Sequence, residues 1–146
     1  MTFEQSLVIR EACRATYAKY AFGADSNIPA FVSCFTADAR WTRPNMVMHS
    51  HDEIRAFMEK QIVDNLADSE HGHFTCHQFT TIHFEEVAET HAWVSAYGQV
   101  YRERHFSGNL PCPMALPELV VRYRTKFVPQ NAEWLIADHT AVHLFR

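Results

Sequence analysis

The sequence lacks the features that mark several large classes of protein. Its 13 Lys and Arg are spread along the chain, and the net charge is −4 with His neutral, so the surface offers no basic patch for a nucleic-acid backbone. Met1 is followed by an acidic, helix-forming stretch, and no run of about 18 apolar residues occurs. We therefore expect a cytoplasmic protein that binds neither nucleic acid nor a membrane.

Paired cysteines and recognised metal motifs are missing as well. The four cysteines lie far apart with no C-x-x-C pair, which is typical of reduced thiols packed as small apolar groups. The ten histidines include four close pairs, which are His49/His51, His71/His73, His73/His77 and His139/His143. Because no H-E-x-x-H or C-x-x-C signature accompanies them, we expect no metal and no organic cofactor.

The sequence is rich in apolar and aromatic residues. Hydrophobic residues make up 47% of its 146 residues and aromatic residues 13%. This is enough for the core of one domain over residues 1–146, and the rings would suit a lined pocket.

Helical signals fill the first part of the chain. Thr2 and Gln5 form a capping box that predicts a first helix over about residues 3–22, with Gly23 as its stop. A second helix is expected from about residue 26 or 27 to about Asp38. Residues 40–42 and 46–48 read as two short strands around a turn at 43–45, and a capping box of Ser50 and Glu53 predicts a third helix.

Beyond residue 73 the apolar residues alternate with period two, which predicts long strands at about 73–85, 91–104, 118–128 and 133–145. Residues 105–117 contain Gly108 and three prolines and are interpreted as a loop or lid at a cavity mouth. Three N-terminal helices packed on a strongly curved, mostly antiparallel sheet give an α+β fold, a cone-shaped α+β barrel.

Three stretches carry a family resemblance. They are Tyr20–Phe31 running on to Phe35–Trp41 with the pattern F-x-x-D-A-x-W, then Thr75-Cys-His77-Gln-Phe-Thr, and Glu133-Trp-Leu-Ile-Ala. The last stretch is similar to a "G-x-W-R-I" strand, with Glu and Leu in place of Gly and Arg. Over nearly its whole length the chain resembles the nuclear transport factor 2-like superfamily, and within it the SnoaL-like group that includes scytalone dehydratase and hexachlorocyclohexane dehydrochlorinase.

The resemblance implies a catalytic pair. Asp25 matches an aspartate at the end of the first helix that orients a histidine, and His77 matches that histidine, which removes a proton from the substrate. The alternatives are that Asp25 is a helix cap or turn residue and that His77 is a strand histidine bonded to a backbone carbonyl. The two assignments stand or fall together.

Seven further residues, most of them aromatic, are candidates for holding the substrate. They are Tyr17, Tyr20, Trp41, Met48, Tyr97, Gln99 and Tyr101, although aromatic residues on amphipathic elements are more often core. Scytalone dehydratase has a second histidine on the next strand that this sequence does not match, so the proton-acid role would fall to Tyr97, Gln99 or Tyr101. Arg40, Arg43, Arg122 and Arg124 could bind a carboxylate or phenolate, but the last two share a face with Lys126 that suggests a solvated surface.

Two functions of different class follow. The first is a cofactor-independent lyase or isomerase that abstracts a proton from a hydrophobic aromatic, polyketide-like or terpenoid-like molecule. The second is a non-catalytic binding protein or an oligomer-building subunit resembling the small subunit of ring-hydroxylating dioxygenases. The relatives also imply a homodimer or homotrimer.

Overall fold

The computed structural model describes residues 1–66 and 70–146 and contains three helices and six strands in those parts of the chain. The helices are α1 (Phe3–Ser26), α2 (Ile28–Val32) and α3 (Ser50–Leu66). The strands are β1 (Phe35–Arg43), β2 (Met46–His49), β3 (Phe74–Val87), β4 (Ala92–Glu103), β5 (Leu119–Gln130) and β6 (Glu133–Phe145). Across the described residues, every helix is too short or too polar to pass through a lipid bilayer.

Helix α1 begins as predicted and ends later. Thr2 Oγ1 accepts from the Gln5 N–H at 3.1 Å, and Gln5 Oε1 accepts from the Thr2 N–H at 2.7 Å, so the capping box is present. The expected stop at Gly23 is wrong, because the helix continues to Ser26 and its last turn closes when Asn27 N–H donates to the Gly23 carbonyl at 2.8 Å.

Gly23 instead permits a close contact between helices. A Cβ at this position would lie 2.6 Å from the backbone nitrogen of Phe31, which is far inside van der Waals contact. The glycine therefore lets α2 pack directly on α1. The additional turn of α1 carries Asp25.

Helix α2 is shorter than predicted. It ends at Val32, and Phe35 already begins β1, so the expectation of a helix to about Asp38 is wrong. Phe31, Cys34 and Phe35 do have helical spacing, but Phe35 pairs with Ile136 and Arg40 with Asp138 in a parallel ladder to β6. That pairing joins segments about a hundred residues apart, and a local pattern does not reveal it.

The start of α3 also differs in detail. The Glu53 carboxylate accepts from the backbone N–H of His49 at 2.6 Å, one residue before the predicted partner Ser50. Ser50 itself has a φ of 71°, a left-handed conformation that turns the chain from β2 into the helix.

The six strands form one sheet in the order β2-β1-β6-β5-β4-β3. Only the β1–β6 pair is parallel among the described strands. Helix α1 packs against β3 and β6, and α3 packs against β1 and β2. The edge strands β2 and β3 do not pair with each other, so the sheet is an open cone. The predicted α+β cone with a mostly antiparallel sheet is confirmed.

Candidate active site

The helices and the concave face of the sheet enclose a cavity of about 150 Å³. Its walls are largely aromatic and apolar, with several polar groups among them. The aromatic residues are Tyr20, Phe31, Trp41, Phe57 and Tyr123. The polar and charged residues are Arg43, Gln61, Asn65, Thr75, His77, Arg102, Glu118 and His143. This composition suits a mostly apolar ligand with a few polar groups.

The structure brings Asp25 and His77 together at one side of this cavity. Asp25 Oδ1 lies 2.6 Å from His77 Nδ1, and the carboxylate also accepts from the His77 backbone N–H at 3.0 and 3.2 Å. Their side chains are only 18% and 19% exposed. An ionised carboxylate can only accept, so Nδ1 carries the hydrogen and Nε2 of the neutral ring retains its lone pair.

The Asp25 carboxylate makes three contacts with His77, and together they fix the positions of both residues. Asp25 lies in the last turn of α1 and His77 near the start of β3, and α1 packs along β3. Because the carboxylate bonds to the backbone as well as to the ring of His77, its position relative to the strand is set independently of the imidazole rotamer. The arrangement can hold a neutral imidazole as a proton acceptor.

Two tyrosines on the cavity wall supply hydroxyl groups. The ring centroids of Tyr20 and Tyr123 lie 6.3 Å apart. Burial raises the pKa of Tyr20 well above its usual value, and burial raises the pKa of Tyr123 to about 12 while a hydrogen bond with Tyr20 acts in the opposite direction. Both phenols therefore stay protonated near neutral pH and can donate hydrogen bonds.

Tyr123 lines the cavity but was not predicted from the sequence as a site residue. A signal was available, because Val121, Tyr123, Thr125 and Phe127 alternate with the charged residues of β5 and must share the opposite, inward face. The ring fits because Gly98 on the neighbouring strand has no side chain, and a Cβ there would lie 2.5 Å from a Tyr123 ring carbon.

The other substrate-binding candidates divide into three groups. Tyr20 and Trp41 line the cavity. Tyr17 and Met48 are buried but are not among the lining residues, and the Tyr17 hydroxyl donates to Thr125 Oγ1 at 2.7 Å.

The third group corrects the expectation for β4. Tyr97, Gln99 and Tyr101 lie on the strand face opposite Val100, which lines the cavity. Tyr97 is 40% exposed, and the Tyr101 hydroxyl donates to Gln99 at 2.9 Å. The small residues Ala92, Val94, Ala96 and Gly98 are the ones that pack inward, because the concave face leaves little room. An acid role within the cavity does not fit any of the three.

The arginines also separate by position. Arg40 is exposed and pairs with Asp138 at 2.8 Å, and Arg122 and Arg124 are exposed on the outer face, as expected. Arg43 lines the cavity, with its guanidinium 4.7 Å from the ring centroid of Phe57 and 5.4 Å from that of Trp41.

Segment 105–117 does not line the cavity in the part of the chain that the structure describes. The flanking residues Arg102 and Glu118 do line it. Arg102 Nη1 lies 2.8 Å from Glu118 Oε2, and Arg104, which is not a lining residue, pairs with the same carboxylate. Phe106 packs on Phe74 with ring centroids 5.4 Å apart. The segment interpreted as a loop or lid is a loop that packs on β3 through Phe106.

His139 is a buried histidine in contact with Tyr123. From the sequence it was a candidate only for a metal site. The ring of His139 stacks on that of Tyr123, with centroids 4.6 Å apart and an interplanar angle of 13°. Its Nδ1 lies 2.8 Å from Thr125 Oγ1, and burial lowers its pKa to about 3. Within residues 1–66 and 70–146, no three or more His, Cys, Asp and Glu are grouped so as to hold a metal ion.

Comparisons with known proteins place these features in context. The family model described as a SnoaL-like domain matches residues 5–140. Among curated proteins, none matches this sequence. Several solved structures are similar in three dimensions, and identities of 14–16% in the three given next limit that likeness to the fold.

One is a candidate scytalone dehydratase from Novosphingobium aromaticivorans, 16% identical over 99% of this chain and 89% of that chain, with a TM-score of 0.78. Another is a hexachlorocyclohexane dehydrochlorinase, 14% identical over 95% and 87%, with a TM-score of 0.70. A third is ActVI-ORFA from Streptomyces coelicolor, 14% identical over 92% and 96%, with a TM-score of 0.72.

Proposed function

The chain belongs to the SnoaL-like domain family, and from this premise we propose that it is a cofactor-independent lyase or isomerase whose general base is His77, paired with Asp25. The substrate is a hydrophobic aromatic, polyketide-like or terpenoid-like small molecule. The observation that carries the proposal is the 2.6 Å contact between Asp25 Oδ1 and His77 Nδ1 at the wall of the cavity.

The chemistry begins with proton removal. His77 Nε2 takes an acidic proton from a carbon or oxygen of the substrate, and the carboxylate of Asp25 stabilises the imidazolium that forms. The same step starts an elimination, a double-bond migration or a carbon–carbon cleavage. Because Asp25 holds the tautomer before substrate arrives, no reorganisation of the base is needed during the reaction.

Negative charge then develops on the substrate, and hydrogen-bond donors are needed to stabilise it. Tyr20 and Tyr123 line the cavity and carry protonated hydroxyls whose pKa values burial raises. In this proposal they donate hydrogen bonds to the developing oxyanion or to the leaving group, in the role first considered for Tyr97, Gln99 and Tyr101. We further propose a homodimer or homotrimer as the working assembly.

The experiment compares His77→Ala with the wild-type protein on a panel of cyclic and aromatic β-hydroxy ketones. Elimination is followed by the absorbance of the conjugated product, and proton abstraction by deuterium incorporation from D₂O. We expect both signals to vanish in His77→Ala while the far-UV circular dichroism is unchanged. His83→Ala is the matched control, because His83 is exposed on the same strand and its loss should leave turnover intact.

Full activity in a folded His77→Ala protein would refute the proposed base. Tight binding of the panel with no turnover and no deuterium uptake in the wild-type protein would instead favour the non-catalytic binding protein.

A further inference from the structure

We propose that the cavity binds its ligand through an anionic oxygen group, of the carboxylate or phenolate type, held by Arg43, which lines the same cavity as His77. The inference deepens the proposed function by naming a chemical feature of the substrate, and it rests on that function only for the role of His77 at the other end.

The first observation is that Arg43 lacks a carboxylate partner among the described residues. The second arginine of the cavity, Arg102, pairs with Glu118 at 2.8 Å. Among the arginines and carboxylates that line the cavity, Arg43 is therefore the one without an oppositely charged partner in the described residues. A cation in a partly closed cavity attracts an anion strongly, since the surrounding protein screens the charge less than water does.

The second observation is how Arg43 is held. It is half-buried at the end of β1, and its guanidinium carbon lies 4.7 Å from the ring centroid of Phe57 and 5.4 Å from that of Trp41. These cation–π contacts hold the charge in place without an acceptor for the guanidinium N–H donors, which leaves those donors for a ligand. Those donors match the two oxygens of a carboxylate in a bidentate arrangement.

The third observation is the set of groups around this charge. His143 also lines the cavity, and its buried Nδ1 has no hydrogen-bond partner in residues 1–66 and 70–146. Burial and the charges of Arg43 and Arg146 lower the pKa of His143, so the ring is neutral near pH 7. A neutral imidazole and the phenol of Tyr123 can complete the hydrogen bonds of an anion without adding charge.

The fourth observation is the separation of Arg43 from His77. Arg43 lies on β1 and His77 on β3, and three strands lie between them in the sheet. At about 4.8 Å per strand, the two would be roughly 19 Å apart on a flat sheet, but the curved sheet brings both to one cavity. A single ligand can therefore place its anionic end at Arg43 and its reacting end at His77.

Isothermal titration calorimetry with 2-naphthoate and its neutral isostere 2-naphthamide tests the inference. We expect the wild-type protein to bind the carboxylate roughly ten-fold or more tightly than the amide, which is the scale of a charge-assisted hydrogen bond. Arg43→Gln should reduce this preference to near unity. Arg122→Gln, which removes the same charge from the exposed outer face, should keep it.

Two further measurements keep the test decisive. Arg43→Met retains apolar contact with Phe57 and serves if Arg43→Gln does not fold, and a shift of the Arg43 side-chain ¹⁵N resonance on adding 2-naphthoate reports the contact without substitution. His77→Ala should keep the preference, so failure of the proposed base and failure of the anion site give different results.

Equal affinities for the two probes in the wild-type protein would overturn the inference. So would absence of binding by both, an unchanged preference in Arg43→Gln, or its loss in His77→Ala.

Discussion

At the residue scale, Asp25 has two tasks that one substitution separates. Its carboxylate holds the His77 ring and also accepts from the His77 backbone N–H. In Asp25→Asn the amide can still occupy the same space, but it no longer stabilises an imidazolium and can bond to the wrong tautomer. We expect turnover to fall roughly 10²- to 10⁴-fold, as when a comparable carboxylate is neutralised in a serine protease, with little loss of stability.

The measurement is kcat for Asp25→Asn beside Asp52→Asn, since Asp52 is exposed on α3 and should be neutral to activity. A change in KM alone, with kcat unchanged, would contradict the role proposed for Asp25.

His139 makes stability depend on pH. Burial lowers its pKa from 6.5 to about 3 in the folded protein, so the unfolded chain takes up a proton first as the pH falls. The folded state is therefore destabilised progressively between about pH 6.5 and pH 3, by on the order of a few kcal/mol from this group. The free energy of unfolding measured with urea should be smaller at pH 4.5 than at pH 7.

In His139→Gln the loss between these two pH values should shrink, although the variant is less stable at pH 7. His83→Gln, an exposed change on β3, should retain the full dependence. An identical dependence in the His139 variant would show that other groups cause it.

At the element scale, the contact between α1 and α2 decides where Asp25 lies. Ala in place of Gly inside a helix normally gains about 1 kcal/mol. At Gly23 the added Cβ would lie 2.6 Å from the backbone of Phe31, and backbone moves less readily than a side chain. We expect the clash to outweigh the gain, with a net loss of about 1–3 kcal/mol and a displaced Asp25.

Thermal unfolding and turnover of Gly23→Ala, with Phe22→Ala as the exposed neighbour on the same helix, check this expectation. A higher Tm for Gly23→Ala would mean that α2 moves to make room for the added Cβ without a loss of stability.

The elements also show what sequence can predict. Each of the four long strands has alternating residues, and their predicted bounds lie within a few residues of the observed ones, because burial on one face imposes period two locally. The end of α2 was wrong because Phe35 takes its conformation from β6. Family motifs predicted Asp25 and His77 as a pair, and the alternation of β5 indicates that Tyr123 faces inward, whereas the position of Arg43 at the cavity depends on how the sheet curves.

At the scale of the whole molecule, the cavity exists only while the complete sheet is curled. Its walls come from all three helices and from β1, β3, β4, β5 and β6, so residues from nearly the whole sequence must be in place at once. A structure built from such long-range contacts is expected to lose its site and its fold in one cooperative transition.

Urea titration can test this cooperativity, because the three tryptophans lie in different places. Trp41 and Trp134 are both buried in the core, but only Trp41 also lines the cavity, and Trp93 lies on β4 against Arg124. We expect activity, tryptophan fluorescence and far-UV circular dichroism to share one midpoint, with a slope of about 1–3 kcal/mol per molar urea. The double variant Trp93→Phe/Trp134→Phe keeps Trp41 alone, so that its fluorescence reports the region of the cavity. Loss of activity at clearly lower urea, with the circular dichroism intact, would mean that the site can open while the sheet persists, and binding by Arg43 and proton transfer by His77 would then depend on a local closing step.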